Sequence, residues 1–211
     1  NITIDLLKPC IPPNSMKFLS RDDVLEIEDQ LYNWTDKAIL ECLWEGISGP
    51  SMNDLVGISK SMVNTKEKII YFSDGRMVQL TDRLYDLLMK AFDETEYMCY
   101  GSTLRVKKLI GVGRLYKERD NAHATDSDDR NFRWVYRKIQ NFRDHVGISG
   151  LTMKNIHISG MYYYLCQGMQ ETGLDLKNFL RSEYGKDLAV KYGFDSDFYV
   201  DNLTHRFKEF V

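Results

Sequence analysis

Apolar positions in the first third of the chain recur at helical spacing. Val24, Ile27 and Leu31 fall on one face of a helix that Ser20 can cap, with Asp22 and Asp23 in its first turn. Thr35 is placed to cap a second helix through Ala38, Ile39, Cys42 and Leu43, which Gly46-Ile-Ser-Gly-Pro50 stops. Ser51-Met-Asn-Asp54 has the form of another capping box, opening a short helix through Leu55 and Val56. The period then shortens. Residues 68–72 and 76–80 are rich in β-formers around Ser73-Asp-Gly75, which predicts a hairpin. Thr81 caps a helix carrying Leu84, Leu87, Leu88, Ala91 and Phe92. Residues 97–120, with Gly101, Gly111 and Gly113, are expected to be extended and turn-rich, and the polar residues 121–130 to form a loop. Helices are predicted over 132–146, 156–170, 174–182 and 200–210. Three prolines within Lys8-Pro-Cys-Ile-Pro-Pro13 mark residues 1–16 as a linker following an earlier domain, with 17–211 as one domain. The fold class expected is mainly α with a small β-hairpin or antiparallel sheet (α+β).

Composition narrows this little. The chain has 211 residues, 43% hydrophobic and 28% charged, ordinary values for a globular domain. It contains no apolar run long enough to span a membrane. Cys10, Cys42, Cys99 and Cys166 are scattered, as expected for reduced thiols in a cytoplasmic protein. His123, His145, His157 and His205 show no metal-ligand spacing, and no motif implies a cofactor. The distribution of charge is more informative than the net −3. Residues 1–100 carry 10 Lys/Arg against 17 Asp/Glu, residues 101–143 carry 11 against 5, and residues 144–211 carry 7 against 9. A basic middle in an acidic chain is either a local phosphate-binding face or a solvated hairpin and helix.

One stretch carries a family signature. Leu151-Thr-Met-Lys-Asn-Ile-His157-Ile-Ser-Gly160 runs into an apolar helix, then Gly173-Leu-Asp-Leu176, then Tyr184-Gly185-Lys186. Upstream lie the Ser20 helix start, Asp54-Leu-Val-Gly-Ile58 and Arg76-Met-Val-Gln-Leu80, in that order. The ordered set resembles the catalytic domain of the tyrosine recombinase (phage integrase) family over about residues 17–211. Within that family it looks like the integrase-like master repressors of SPβ-type Bacillus phages. The resemblance implies a tyrosine recombinase catalytic-domain-like fold. The family's reaction attacks a DNA phosphodiester with a tyrosine hydroxyl, stabilised by two arginines and assisted by histidines and a hairpin lysine.

Carried over position by position, most of that equipment is missing. The first arginine falls on Ser48, or on Ser51 with a different gap. The second falls on Gly160, and the L-G-H histidine on Lys186. Lys68 is the candidate hairpin lysine, while Arg76 matches the family's structural arginine. Tyr192 and Tyr199 flank the place of the nucleophile. His157 remains, as a phosphate contact or as a packed helix-terminus residue. Tyr162, Tyr163 and Tyr164 are either core and rim or a stacking platform. The resemblance implies a double-stranded DNA-binding regulator, a repressor of lytic genes at operator sites, without strand-cleavage chemistry. Its candidate contacts are Arg76, Arg130, Arg133, Arg137, Lys138, Lys154, Asn155, His157 and Lys186. Two other readings stay open. One is a divergent recombinase using Lys186 or Arg137. The other is a protein-interaction module, with self-association through Phe198, Leu203, Phe207 and Phe210 of the last helix.

Overall fold

The computed structural model describes residues 18–101, 105–119, 128–194 and 196–208, with backbone alone at positions 118, 119, 128 and 129. The expected linker over 1–16, Phe210 and most of the expected loop at 121–130 lie outside the described residues. Helix α1 (Arg21–Gln30) starts on the predicted capping box: Ser20 Oγ accepts the Asp23 N–H, and the Asp23 carboxylate accepts that of Ser20. Helix α2 (Trp34–Trp44) begins one residue before the predicted cap, so Thr35 lies inside its first turn. Its free N–H groups are taken by a distant side chain instead. The Glu94 carboxylate accepts from the Trp34 and Thr35 amides at 2.7 and 3.0 Å. From Thr35 to Trp44 only Lys37 is not buried, which makes α2 the central rod of the fold.

After α2 the chain turns through Gly46 and Gly49 into a 3-10 turn (Pro50–Met52) and short α3 (Asn53–Gly57). The capping box expected at Ser51 does not form. Ser51 and Met52 both sit at positive φ, 52° and 65°, which turns the chain without a side-chain cap. Strands β1 (Val63–Asn64), β2 (Ile69–Tyr71) and β3 (Met77–Gln79) form an antiparallel sheet, with Ile70 opposite Val78 in the predicted hairpin. Thr81 caps α4 (Asp82–Asp93), and all five predicted apolar positions of that helix are buried.

The extended stretch that follows is a second antiparallel sheet, β4 (Glu96–Cys99), β5 (Arg105–Ile110) and β6 (Glu118–Arg119). Asn33 stitches it to the start of α2 with two hydrogen bonds to the Met98 backbone, at 2.7 and 3.0 Å. Helix α5 (Asp128–Val146) starts earlier than predicted and takes in residues 128–130 of the expected loop. Thr152 caps α6 (Met153–Thr172), which ends on Gly173 at φ 68°. Helices α7 (Leu176–Arg181), α8 (Glu183–Lys191) and α9 (Tyr199–Phe207) complete the described chain.

Two apolar cores meet across α6. The larger gathers α1 to α5, the first sheet and Ile156. The smaller joins Ile158, Met161 and Leu165 of α6 to Phe179, Leu188, Tyr192, Leu203 and Phe207. A helix placed between two cores must be apolar on more than one side, and α6 is. The α+β class with a small antiparallel component is the one expected.

Candidate functional site

The two positions of the His157–Gly160 motif lie one turn apart on α6 and face the C-terminal end of α2. Gly160 is fully enclosed. A Cβ there would sit 1.9 Å from the Trp44 carbonyl oxygen and 3.0 Å from the Tyr192 hydroxyl. The absent side chain is therefore what lets α6 close on α2. Tyr192, 3% exposed, fills the adjoining space and donates its hydroxyl to the same Trp44 oxygen at 2.5 Å. His157 Nε2 lies 3.1 Å from the Tyr192 carbonyl. A carbonyl only accepts, so Nε2 carries the proton, and Nδ1 is left buried without a partner among the described residues. Burial pushes the His157 pKa below its ordinary value, which keeps the ring neutral. Tyr199 is also tied inward, its hydroxyl donating to the Leu180 carbonyl at 2.6 Å. Ser48 is half-buried, while Ser51 is exposed on the left-handed turn.

The candidate DNA contacts divide between interior and surface. Lys138 is a correction: it is 6% exposed, with its ammonium 2.6 Å from buried Asp36 and 3.7 Å above the Tyr97 ring. It packs inward because Asp36 needs a countercharge. Of the two readings of His157, the half-buried ring held against the Tyr192 carbonyl in the junction matches the packed one. Arg76 is bound to Asp54 (2.8 Å) and Asp74 (2.7 Å), anchoring the hairpin to α3. Lys68 is paired with Asp82 at 2.6 Å. Lys154 and Lys186 are exposed, while Asn155 turns its amide back to the Gly150 carbonyl. Arg133 and Arg137 are exposed on α5, beside exposed Phe132 and Tyr136.

Four further exposed cations lie on β5 or just after it, with Lys108 on the opposite side of the strand from Arg105 and Lys107. Arg105, Lys107 and Lys108 of β5 and Arg114 after it are exposed, with no ion pair among the described residues. Residues 97–117 contain no Asp or Glu, and neither do residues 130–143. A groove of about 510 Å³ joins the two segments, lined by Arg114, Tyr116, Arg130, Asn131, Asn53 and Ser59 among others. Arg130 reaches across to the Tyr116 hydroxyl at 2.9 Å. The charge count over 101–143 carried this signal, but the irregular look of β5 hid the individual residues.

Residues 18–210 match the family described as "MrpR, C-terminal catalytic domain". The chain belongs to this integrase-like family. Over 184 residues it is 24% identical to the "SPbeta prophage-derived uncharacterized protein YopR" of Bacillus subtilis strain 168, covering 82% of this chain and 56% of that protein. The chain thus spans about half the length of the curated relative it matches.

In this member of the MrpR C-terminal domain family a buried polar cluster that the sequence reading missed borders the His157 junction. Glu45, 2% exposed, accepts from the Tyr164 hydroxyl at 2.5 Å and from Lys191 at 3.1 Å. One turn back, Glu41 receives both arms of the Arg21 guanidinium at 2.7 and 2.6 Å. Burial and the Glu45 carboxylate both push the Tyr164 pKa up, so its hydroxyl stays protonated. The cluster locks the end of α2 to α6 and α8. Cys42, Cys99 and Cys166 are free thiols, and no group of His, Cys, Asp or Glu among the described residues could hold a metal. No helix of the described residues is long and apolar enough to cross a membrane.

Proposed function

We propose that this chain is a DNA-binding transcriptional regulator, a prophage repressor of lytic genes, on an integrase-like fold that has given up strand cleavage. The observation that carries the loss of chemistry is the Gly160 contact. The position matched to the family's second arginine has no volume for a side chain, and the nearest tyrosine hydroxyl is spent on a backbone carbonyl. Transition-state charge on a phosphorus needs donors aimed at it, and removing one such donor typically slows a reaction by about 100- to 1000-fold. What supports DNA binding is the set of exposed cations on β5, just after it and on α5, namely Arg105, Lys107, Lys108, Arg114 and Arg137, with Arg114 lining the Arg130 groove. Phosphate contact needs only such cations, not catalytic geometry.

The test is fluorescence anisotropy against prophage operator fragments across a salt series, paired with a nicked suicide substrate. Binding that weakens steeply with salt, with no covalent adduct, is the expected result. A covalent adduct that disappears in Tyr192→Phe or Tyr199→Phe would instead establish a divergent recombinase. Salt-independent or absent binding would remove the DNA reading.

A further inference from the structure

A second cleft, of about 400 Å³, opens on the other side of Tyr116 between β5 and α5. Its walls are of two kinds. Tyr97, Tyr116 and Trp134 give it aromatic surface. Lys117, Arg137 and Lys138 give it positive charge, and no carboxylate lines it among the described residues. Lys138 is balanced from beneath by Asp36. Lys117 makes no ion pair among the described residues: its ammonium donates to the Ala91 and Glu94 carbonyls at the end of α4, with the Glu94 and Asp93 carboxylates close enough to act on it. Arg137 is exposed and has no ion pair among the described residues. Arg137 thus brings a charge without an ion pair to an aromatic cavity, and Lys117 adds a second cation to its wall.

The same cleft contains an unanswered hydroxyl. Thr35 is 3% exposed, and its Oγ1 is buried with no hydrogen-bond partner among the described residues. A buried hydroxyl without a partner is a standing cost that an acceptor or donor on a ligand relieves. The Gln140 and Asn141 amides stand at the same wall and can meet either kind of group. The volume lies in the range of small-molecule sites, which are mostly apolar with a few convergent polar groups.

We propose that this cleft binds a free nucleoside 5′-monophosphate, its phosphate on Lys117 and Arg137 and its base against Tyr116 and Trp134. Phosphate alone leaves the aromatic walls unused, and an uncharged ring leaves the cations unused. A duplex keeps its bases stacked and paired, so the ring comes from a mononucleotide rather than from the DNA of the proposed operator. The site goes beyond the DNA-binding reading, and a titration without duplex lets the two fail separately.

Titrating the 211-residue chain with AMP, GMP, CMP and UMP, followed by calorimetry and by tryptophan fluorescence, tests this. At least one monophosphate is expected to saturate below about 1 mM and to quench emission, the quench disappearing in Trp134→Phe. Arg137→Ala, which removes a charged donor, is expected to weaken binding about tenfold. Thr35→Val is expected to weaken it while leaving the melting temperature at or above that of the parent, because the hydroxyl has no partner among the described residues. Three results overturn the proposal: no saturation by any of the four at about 10 mM, inorganic phosphate binding as tightly as the best monophosphate, or quenching by single-stranded oligonucleotides alone.

Discussion

At Gly160 the lack of a side chain lets two backbones touch. Gly160→Ala places a methyl 1.9 Å from the Trp44 oxygen, so a stability loss at the upper end of about 1–3 kcal/mol is expected by urea denaturation. Gly160→Arg, which puts the arginine of the resembled motif at this position, is expected to unfold the domain rather than to give cleavage. A folded variant giving a covalent adduct would contradict that. Tyr192→Phe leaves the buried Trp44 carbonyl without its donor, for an expected loss of about 1–3 kcal/mol. The absence of arginine was plain in the sequence. The reason for it was not, because a motif position says nothing about which backbone stands opposite.

Elements are joined by buried polar groups whose partners are far apart in sequence. Asp36 of α2 accepts from Lys138 of α5, from the Tyr100 hydroxyl after β4 at 2.9 Å, and from Asn33 at 2.9 Å. Lys138→Met strands a fully buried carboxylate, and a loss of about 3–5 kcal/mol in a denaturant titration is expected, with Asp36→Asn in the same chain recovering part of it. Glu28 of α1 behaves differently. Burial, then the neighbouring Glu41 carboxylate, raises its pKa to about 8 against the Arg83 ion pair. The folded state therefore keeps a proton that the unfolded chain gives up near 4.5. The stability this confers is full below that value and lost as pH rises through about 8. The denaturation midpoint is expected to fall between pH 5 and 9, and Glu28→Gln to flatten the fall. An unchanged pH dependence in that variant would show that Glu28 is not its source. The apolar spacing of α1, α4 and the hairpin was legible because each buries one regular face. Helix α8 was not: Gly185 was read only as part of the Tyr184-Gly185-Lys186 motif, yet it is required inside a helix, since a Cβ there would lie 2.1 Å from the Phe179 oxygen. The Ser182 cap and the spacing of Leu188, Ala189 and Tyr192 were the signals available.

Across the whole molecule, charge is sorted by use. Arg21, Arg76, Arg83, Lys138 and Lys191 serve the interior or its rim, while Arg105, Lys107 and Lys108 of β5 and Arg133 and Arg137 of α5 are exposed. Alanine at Arg105, Lys107 or Arg114 is expected to lower the slope of log affinity against log salt by about one each without shifting the melting temperature. Lys138→Ala is expected to act on folding rather than on that slope. The sequence located the basic segment but could not tell inward from outward lysines, since Asp36 lies 102 positions from its partner. The Gly160–Trp44 contact also governs which substitutions the position admits. From this packing an arginine is reached only if the glycine changes, Tyr192 withdraws and α2 moves aside, and each step alone weakens the fold. Such a contact acts as a ratchet: neutral drift can accumulate around it, but no single substitution places a guanidinium at that position without cost to the packing.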